Sequence, residues 1–282
     1  MLGRKEYRFS ILAVLVYSCF SFVYVLMEFW GMDISVIKDA NQSVGYSQLH
    51  RLWFFFSMVY PFLIVLPFST SYLDDYQNRL LPVYLSRSSR QAYYLSKLLA
   101  SFLGTSMVIA IPFLLNLLLC NLFLPHNHNT WFGEYQMGNF YRQLLGTNLL
   151  YTTSDTELPF LKLYLYSPFL YNLLYLFFFS LFSGLLGALV LGFSFWWKKH
   201  KIALFVPVFL VMQLLQVYDA WSLSDAIENG SRYRNFNILD YVVPSVSKGR
   251  APSFLLVVLV VMAAVLVCSV IYALKEDLRS IQ

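Results

Sequence analysis

Six stretches of this chain contain no Asp, Glu, Lys or Arg, and each has about the length of a helix that crosses a bilayer. The core of a bilayer requires roughly 20 apolar residues in helical form. Across the whole chain, 59% of the residues are hydrophobic and 12% are charged, whereas soluble domains average about 25% charged residues. These values exclude an ordinary soluble protein. The stretches cover residues 9–27, 52–73, 98–125, 163–197, 202–218 and 251–274.

The pattern predicts an all-α, polytopic membrane protein with six transmembrane helices in a single transmembrane domain, residues 1–282. Because the fourth stretch is too long for one straight helix and Pro168 suits a first helical turn, we expect that span to begin at Pro168. The fifth is the shortest and needs a thin bilayer or support from its neighbours. The predicted spans are residues 9–29, 52–72, 98–124, 168–196, 202–218 and 252–274.

The distribution of charge predicts the orientation. Six spans place both termini on one side, and if that side is the cytoplasm, the inner segments carry more bases than acids. The outer segments then carry more acids than bases. The positive-inside rule therefore favours cytoplasmic termini in the cytoplasmic membrane. The net charge of +5 follows from this topology, and the bases do not form the cluster on a soluble face that nucleic acid would require.

Charged residues interrupt the apolar pattern most clearly at residues 68–97, between the second and third spans. Ser71 followed by Asp74 resembles the start of a capped helix, and Pro82 predicts its end. Leu73, Tyr76 and Leu80 fall on one face. The segment therefore predicts a short amphipathic helix along the inner membrane surface. A connection needs only about five residues, which leaves two interpretations: a solvated connector or a docking site for a partner.

This segment resembles the cytoplasmic segment of ABC-2 type permeases, the membrane subunits of many bacterial ATP-binding-cassette exporters. In that family an acidic stretch precedes a Leu-Leu and Ser-Arg segment, and a Tyr-x-x-x-Lys pattern opens the third span. Many relatives have a Gly shortly after the acids, where this chain has Asn78–Arg79. The matching residues are Asp74–Asp75, Leu80–Leu81, Ser86–Arg87 and Tyr93/Tyr94–Lys97.

The resemblance implies a separate ATPase subunit that holds ATP and Mg, a short coupling helix that seats in it, and a second permease subunit, either identical or paralogous. The chain itself has no P-loop, because no Lys is followed by Ser or Thr. We therefore expect a transport subunit in contact with membrane lipid, with no cofactor and no enzyme activity of its own. The predicted ATPase-coupling residues are Asp74, Asp75, Tyr76, Arg79, Arg87 and Arg90.

The predicted spans hold almost no ionisable groups, which argues against a proton- or ion-coupled transporter. Four neutral polar residues remain as candidates for a substrate path: Asn116, Asn172, Gln213 and Gln216. Gln213 and Gln216 share one helix face and either line such a path or pair with another helix. Apolar, aromatic spans suit an amphipathic or hydrophobic cargo, such as a peptide, an antibiotic or a lipid-like molecule.

Small residues are concentrated in the fourth span. Ser183 and Gly187, and likewise Gly184 and Ala188, are four residues apart. This spacing lets two helices approach closely, and we expect it to serve packing within the chain.

Two other function classes stay open. One is a membrane enzyme acting at the outer surface through residues 126–165, and the other is an immunity or scaffold protein that works without an ATPase. His126 and His128 lack a third metal ligand nearby, so we expect no metal site.

Overall fold

The computed structural model describes most of the predicted membrane domain. The described residues are 4–32, 39–47, 50–67, 70–87, 89–126, 160, 163, 166–197, 201–229, 235–244 and 252–279.

Regular structure in these ranges is entirely helical, and no β-strand occurs among the described residues. The helices are α1 (Lys5–Glu28), α2 (Trp53–Val65), α3 (Ser71–Gln77), α4 (Leu81–Arg87), α5 (Arg90–Phe123), α6 (Pro168–Trp196), α7 (Lys201–Asn229), α8 (Leu239–Val242) and α9 (Pro252–Arg279).

Four helices in the described part of the chain are long and apolar enough to cross a membrane: α1, α5, α6 and, within α9, Ser253–Lys275. They confirm the prediction of a helical, multi-pass membrane protein. The fourth predicted span is confirmed to the residue, because its start has strong local signals. The Ser167 hydroxyl accepts a hydrogen bond from the Leu170 N–H at 3.3 Å, and Pro168 takes the first helical position.

The second predicted span differs most from its expected length. α2 has 13 residues, which amounts to about 20 Å, whereas the hydrocarbon core is about 30 Å thick. Pro67 has no amide hydrogen to donate to the preceding turn, and the chain turns at Leu66 and Pro67. α2 therefore ends at Val65, before the predicted end of the span at residue 72, and α3 begins at Ser71, where a separate short helix was predicted.

α6 is the centre of the bundle. In its apolar stretch 67% of the residues are buried, compared with 11% in that of α9. The helices α5, α9, α2, α7 and α3 pack around it. α9 therefore presents most of its apolar surface outward, as expected of a helix bathed in lipid.

Aromatic side chains hold the short α2 against α6. The Tyr60 ring stacks on the Phe179 ring with centroids 5.1 Å apart. The Trp53 ring contacts Phe179 edge-on, with centroids 6.0 Å apart. The Tyr60 hydroxyl also lies 2.8 Å from the hydroxyl of Ser183. Such rings contribute large apolar areas and specific geometry, and they compensate for the few turns that α2 offers.

The closest helix contact joins α5 and α6 at the predicted small residues. A Cβ atom on Gly184 would collide with Ser106 Oγ and lie 2.7 Å from the backbone oxygen of Phe102. A Cβ atom on Gly187 would collide with Thr105 Oγ1 and lie 2.9 Å from Thr105 Cβ. The prediction that these glycines serve packing within the chain is confirmed.

Replacing Gly187 with Leu should separate α5 from α6 and cost roughly 1–3 kcal/mol or more. We expect a lower yield and a lower melting temperature, measured on detergent-purified protein by size-exclusion chromatography after heating. Ala264→Leu is the control, because it adds a side chain at an exposed position of α9. Equal melting temperatures for the two variants would contradict close packing at Gly187.

Candidate functional site

Asp75 on α3 is held by two side chains of α5. The Tyr93 hydroxyl donates to Asp75 Oδ2 at 2.7 Å, and Lys97 Nζ lies 2.6 Å from the same oxygen. Asp75 is only 6% exposed, and Lys97 Nζ also lies 5.6 Å from the centroid of the Tyr93 ring. Breaking a buried ion pair by removing one partner typically costs about 3–5 kcal/mol. We call these three residues the Asp75 cluster, and it fastens α3 to the start of α5.

The burial of Asp75 differs from the sequence expectation, which counted both aspartates among the residues that couple the chain to an ATPase. Its carboxylate points into the protein because Tyr93 and Lys97, one helical turn apart on α5, supply the donors. Both donors belong to the pattern quoted above for the family resemblance. The four-residue spacing of Tyr93 and Lys97 places both donors on one face of α5, and this was the signal in the sequence that they could bind a single carboxylate.

Asp74 ties α3 to the beginning of α1. Its Oδ2 atom lies 3.6 Å from Arg4 Nη1 and accepts a hydrogen bond from the Thr70 hydroxyl at 3.3 Å. The predicted cap at Ser71 is wrong by one residue. Thr70 is the N-cap, its side chain makes no bond to the helix backbone, and Ser71 is the first helical residue. Asp74 does lie in the first turn, where a carboxylate favours the helix dipole.

α3 ends in a tight turn that requires a left-handed residue. The Leu80 N–H donates to the Asp75 carbonyl at 2.9 Å, and the Arg79 N–H donates to the Tyr76 carbonyl at 3.2 Å. This is the Schellman arrangement, in which glycine usually occupies the left-handed position. Here Arg79 occupies it with φ 55°, so the turn forms without the Gly that many ABC-2 permeases have near this point.

Beyond this turn, α3 and α4 present a mixed aliphatic, aromatic and basic surface. Tyr76 is 43% exposed, Leu80 40% and Tyr84 43%, and Arg79 and Arg87 are also exposed. We call these five residues the α3–α4 surface. It combines side chains that are common at protein interfaces.

The predicted coupling residues therefore separate into two groups. Tyr76, Arg79 and Arg87 lie on the α3–α4 surface, whereas Asp74 and Asp75 hold it in place from inside. Arg90, at the start of α5, is half-buried, and its Nη1 atom is hidden from solvent with no hydrogen-bond partner among the described residues.

Arg79→Gly should stabilise the protein by about 1 kcal/mol, because a left-handed conformation costs a residue with a Cβ roughly that much. The measurement is the melting temperature of the detergent-purified protein. Arg79→Ala keeps the Cβ atom and removes the charge, so it should give no gain. Equal stabilisation by both variants would mean that the arginine charge, and not the backbone, is responsible.

A second polar site lies at the opposite end of α5. Asn116 is fully buried, about 10 Å before the helix ends at Phe123. Its Nδ2 donates to the Ser18 carbonyl at 2.8 Å and to Ser21 Oγ at 3.1 Å, both on α1. Its Oδ1 accepts the Gly45 N–H at 2.8 Å. A Cβ atom on Gly45 would collide with Ser21 Oγ, so this close approach requires glycine.

Gly45 belongs to a non-helical segment, described at residues 39–47 and 50–52, that enters the bundle between α1, α5 and α6. We call it the α1–α2 segment. Its described backbone is bound on several sides: the Ala40 N–H donates to the Pro125 carbonyl at 3.0 Å, and the Tyr17 hydroxyl donates to the Gly45 carbonyl at 2.9 Å. Irregular backbone at membrane depth is tolerated only when its polar groups are satisfied in this way.

Asn172, on α6, binds the same segment. Its Nδ2 donates to the Asn41 carbonyl at 2.8 Å, and its own carbonyl accepts the Tyr46 hydroxyl at 2.8 Å. Asn116 and Asn172 thus hold the α1–α2 segment from two sides. A substrate path through either side chain, as the sequence suggests, would have to break these bonds, and the path stays a prediction.

Gln213 and Gln216 differ from the two asparagines. Both lie on α7 and are half-buried, and α7 packs against α2 through Phe209 and Phe62, whose ring centroids are 4.8 Å apart. The Nε2 atoms of both glutamines are hidden from solvent and have no hydrogen-bond partner within the described ranges. A buried donor without a hydrogen bond is costly. Of the four residues predicted to line a substrate path, these two glutamines are therefore the ones whose side-chain donors still lack an acceptor.

Apolar cavities surround α6. One of about 560 Å³ lies between α5 and α6 and includes Leu114 and Phe177 in its wall. Another, of about 310 Å³, lies between α6, α7 and α9 beside Met212. A third, of about 460 Å³, is bounded by α6, α8 and α9 and includes Tyr241. Sites for small ligands commonly have such volumes and apolar walls.

Asn116→Leu should cost about 1–3 kcal/mol, because it leaves the Gly45 N–H, which donates to Asn116 Oδ1, buried without its acceptor. Thermal unfolding of purified protein measures the loss. Asn121→Ala is the control on the same helix, because the Asn121 Nδ2 atom donates to the Leu117 carbonyl of α5 itself, at 2.8 Å. A loss at Asn116 no larger than at Asn121 would contradict the bridging role.

Comparison with known proteins gave no match: no family model, no curated protein and no solved structure is similar to this chain.

Proposed function

We propose that the chain is the permease subunit of an ATP-binding-cassette exporter of the ABC-2 type. A separate ATPase hydrolyses ATP with Mg, and a second permease subunit, a copy or a paralogue, completes the membrane path. The cargo is amphipathic or hydrophobic. The six spans and the cytoplasmic position of both termini are part of the same proposal.

The observation that carries the proposal is the α3–α4 surface. α3 and α4 stand between α2 and α5, and their exposed tyrosines and arginines are common at interfaces. A mere connector between two helices needs neither helices of its own nor ion pairs that fix their position. A surface of this kind suits a soluble partner that pushes on the membrane domain.

The contacts beneath the surface suit the transmission of force. Asp75 links α3 to Tyr93 and Lys97, and Asp74 links it to Arg4. A movement of α3 would therefore displace the first turns of both α5 and α1. In this proposal Asp74 and Asp75 are positioning residues, and Tyr76, Arg79 and Arg87 contact the ATPase.

Three features support the nature of the cargo and the number of spans. The cavities around α6 have apolar walls, and the predicted spans lack the ionisable groups of ion-coupled transport. α7 extends from Lys201 to Asn229, which gives the fifth span enough chain to cross.

The double variant Tyr84→Ala/Arg87→Glu tests ATPase docking. Tagged protein is purified from native membranes in mild detergent, and the amount of co-eluting P-loop ATPase and its ATP hydrolysis are measured. We expect at least about a tenfold loss of bound ATPase, because aromatic and arginine contacts dominate most interfaces. Both side chains are exposed, but the Tyr84 ring also stacks on Tyr93 with centroids 6.0 Å apart. The melting temperature is therefore measured as well and should fall by no more than a few degrees.

Trp30→Ala is the matched control. Trp30 is 85% exposed and follows the end of α1 away from Arg4, so this variant should retain the ATPase. Full retention by the double variant, or the absence of any stoichiometric ATPase with the wild-type protein, would overturn the proposal.

A further inference from the structure

The cavity of about 310 Å³ between α6, α7 and α9 has a closed floor and an open side. α6 forms the floor, where Phe182 is 3% exposed and Leu186 is 6% exposed. The open side lies between α7 and α9, because Val211, Val257 and Val261 line the cavity and are each more than half exposed. We call this space the lateral cavity. It opens sideways, toward the molecules that surround the helices at its depth.

The lateral cavity lies at the depth of the bilayer hydrocarbon. Its wall on α9 covers residues 254–265, within the apolar stretch Ser253–Lys275 that is long enough to cross a membrane. Its wall on α6 covers residues 182–193, within another helix of that kind. Only 11% of the apolar stretch of α9 is buried inside the protein, so lipid surrounds most of this helix. The molecules next to the open side are therefore lipid acyl chains.

The chemistry and the size of the lateral cavity exclude water and a protein helix as its occupant. Every side chain in its described wall is apolar, whereas a buried water needs about two to four polar partners. The walls on α6 and α9 are each about 16 Å long. A helix of that length, with a diameter of about 10 Å, occupies roughly 1,300 Å³. The volume of the cavity is about a quarter of this value.

A single hydrocarbon chain matches the cavity in length and in volume. The hydrocarbon core of a bilayer is about 30 Å thick, so an acyl chain in one leaflet is about as long as the cavity. An apolar cavity of about 150 Å³ in another protein binds benzene, so twice that volume accommodates roughly ten to twelve carbons. Side chains that border an empty space lose dispersion contacts. A chain that enters from the surrounding hydrocarbon restores these contacts.

We propose that the lateral cavity binds the end of one acyl chain of a membrane phospholipid, which enters between α7 and α9 and packs on α6. The inference goes beyond the proposed function and requires neither an ATPase nor transport. The headgroup stays outside at the membrane surface, because the described wall of the cavity offers it no polar partner. The bound chain completes the packing between α7 and α9, both of which pack on α6.

Photo-crosslinking of the full chain in nanodiscs tests the site. The probe is a phosphatidylcholine with a diazirine at the end of one acyl chain, and peptide mass spectrometry identifies the labelled side chains. Met212 and Met262 line the cavity and are 5% and 6% exposed, so a lipid chain reaches them only inside the cavity. We expect both to be labelled. Labelling of Leu214 and Val260, which are exposed outside the cavity wall, confirms that the probe reacts.

Val208→Phe places a ring in the cavity, because Val208 is a buried residue of its wall. Labelling of Met212 and Met262 should decrease at least about fivefold, because a close-packed interior has no room for both the ring and the chain. Val206→Phe is the matched control. It makes the same change two residues away, at an exposed position outside the wall, and should be labelled as the wild type is. Unlabelled Met212 and Met262 in the wild type, or equal labelling in Val208→Phe, would overturn the site.

If Val208→Phe does not fold, a second probe decides the matter in the wild type. This phospholipid carries the diazirine beside the ester group, close to the headgroup. Met262 lies near the middle of the apolar stretch of α9, about 15 Å from either surface of the hydrocarbon core. The second probe should therefore label Met262 at least about fivefold less than the diazirine at the chain end does. Equal labelling by the two probes would overturn the site, because the chain would then not enter by its end.

Discussion

The contact between α5 and α6 at Gly184 and Gly187 fixes the position of both polar sites in this protein. Without side chains at these glycines, α5 approaches until Thr105 and Ser106 meet the α6 backbone. The hydrophobic effect does not bring helices together in lipid, so their association depends on close van der Waals packing of this kind. The paired helices then act as one rigid axis, with ionic contacts at one end and an asparagine-bound segment at the other.

The two ends of this axis satisfy polar groups in different ways. At one end the Asp75 cluster pairs opposite charges where α3 meets α5. At the other end, where a charge would be costly, the neutral amides of Asn116 and Asn172 bind the α1–α2 segment. The aromatic packing of Tyr60 on Phe179 lies between them and holds α2. Ionic contacts therefore support the surface that we assign to the ATPase, and neutral hydrogen bonds close the opposite end.

Local signals in the sequence were enough to predict the helices with clear boundaries, whereas contacts between distant residues were not predictable. Ser167 and Pro168 define the start of α6 through their own backbone preferences, and that prediction is confirmed. The early end of α2 at Val65 lies at a turn that includes Pro67, whose effect an apolar count does not register. The burial of Asp75 depends on Tyr93 and Lys97 of α5. The position of Gly45 inside the bundle depends on Asn116. Composition alone would place both Asp75 and the segment that contains Gly45 at the surface. Their hydrogen-bond partners lie far away in the sequence and come close only when the helices pack.

Labelling from one side of the membrane tests the central claim, that the α3–α4 surface faces the cytoplasm where an ATPase can reach it. Cysteines replace Ser86, exposed on α4, or Met32, 50% exposed after α1, in a chain whose Cys19, Cys120 and Cys268 are alanine. A membrane-impermeant maleimide is applied to intact and to permeabilised cells. The account predicts that Met32→Cys reacts in intact cells and that Ser86→Cys reacts only after permeabilisation. Labelling of Ser86→Cys in intact cells would contradict it, because no cytoplasmic ATPase could then contact α4.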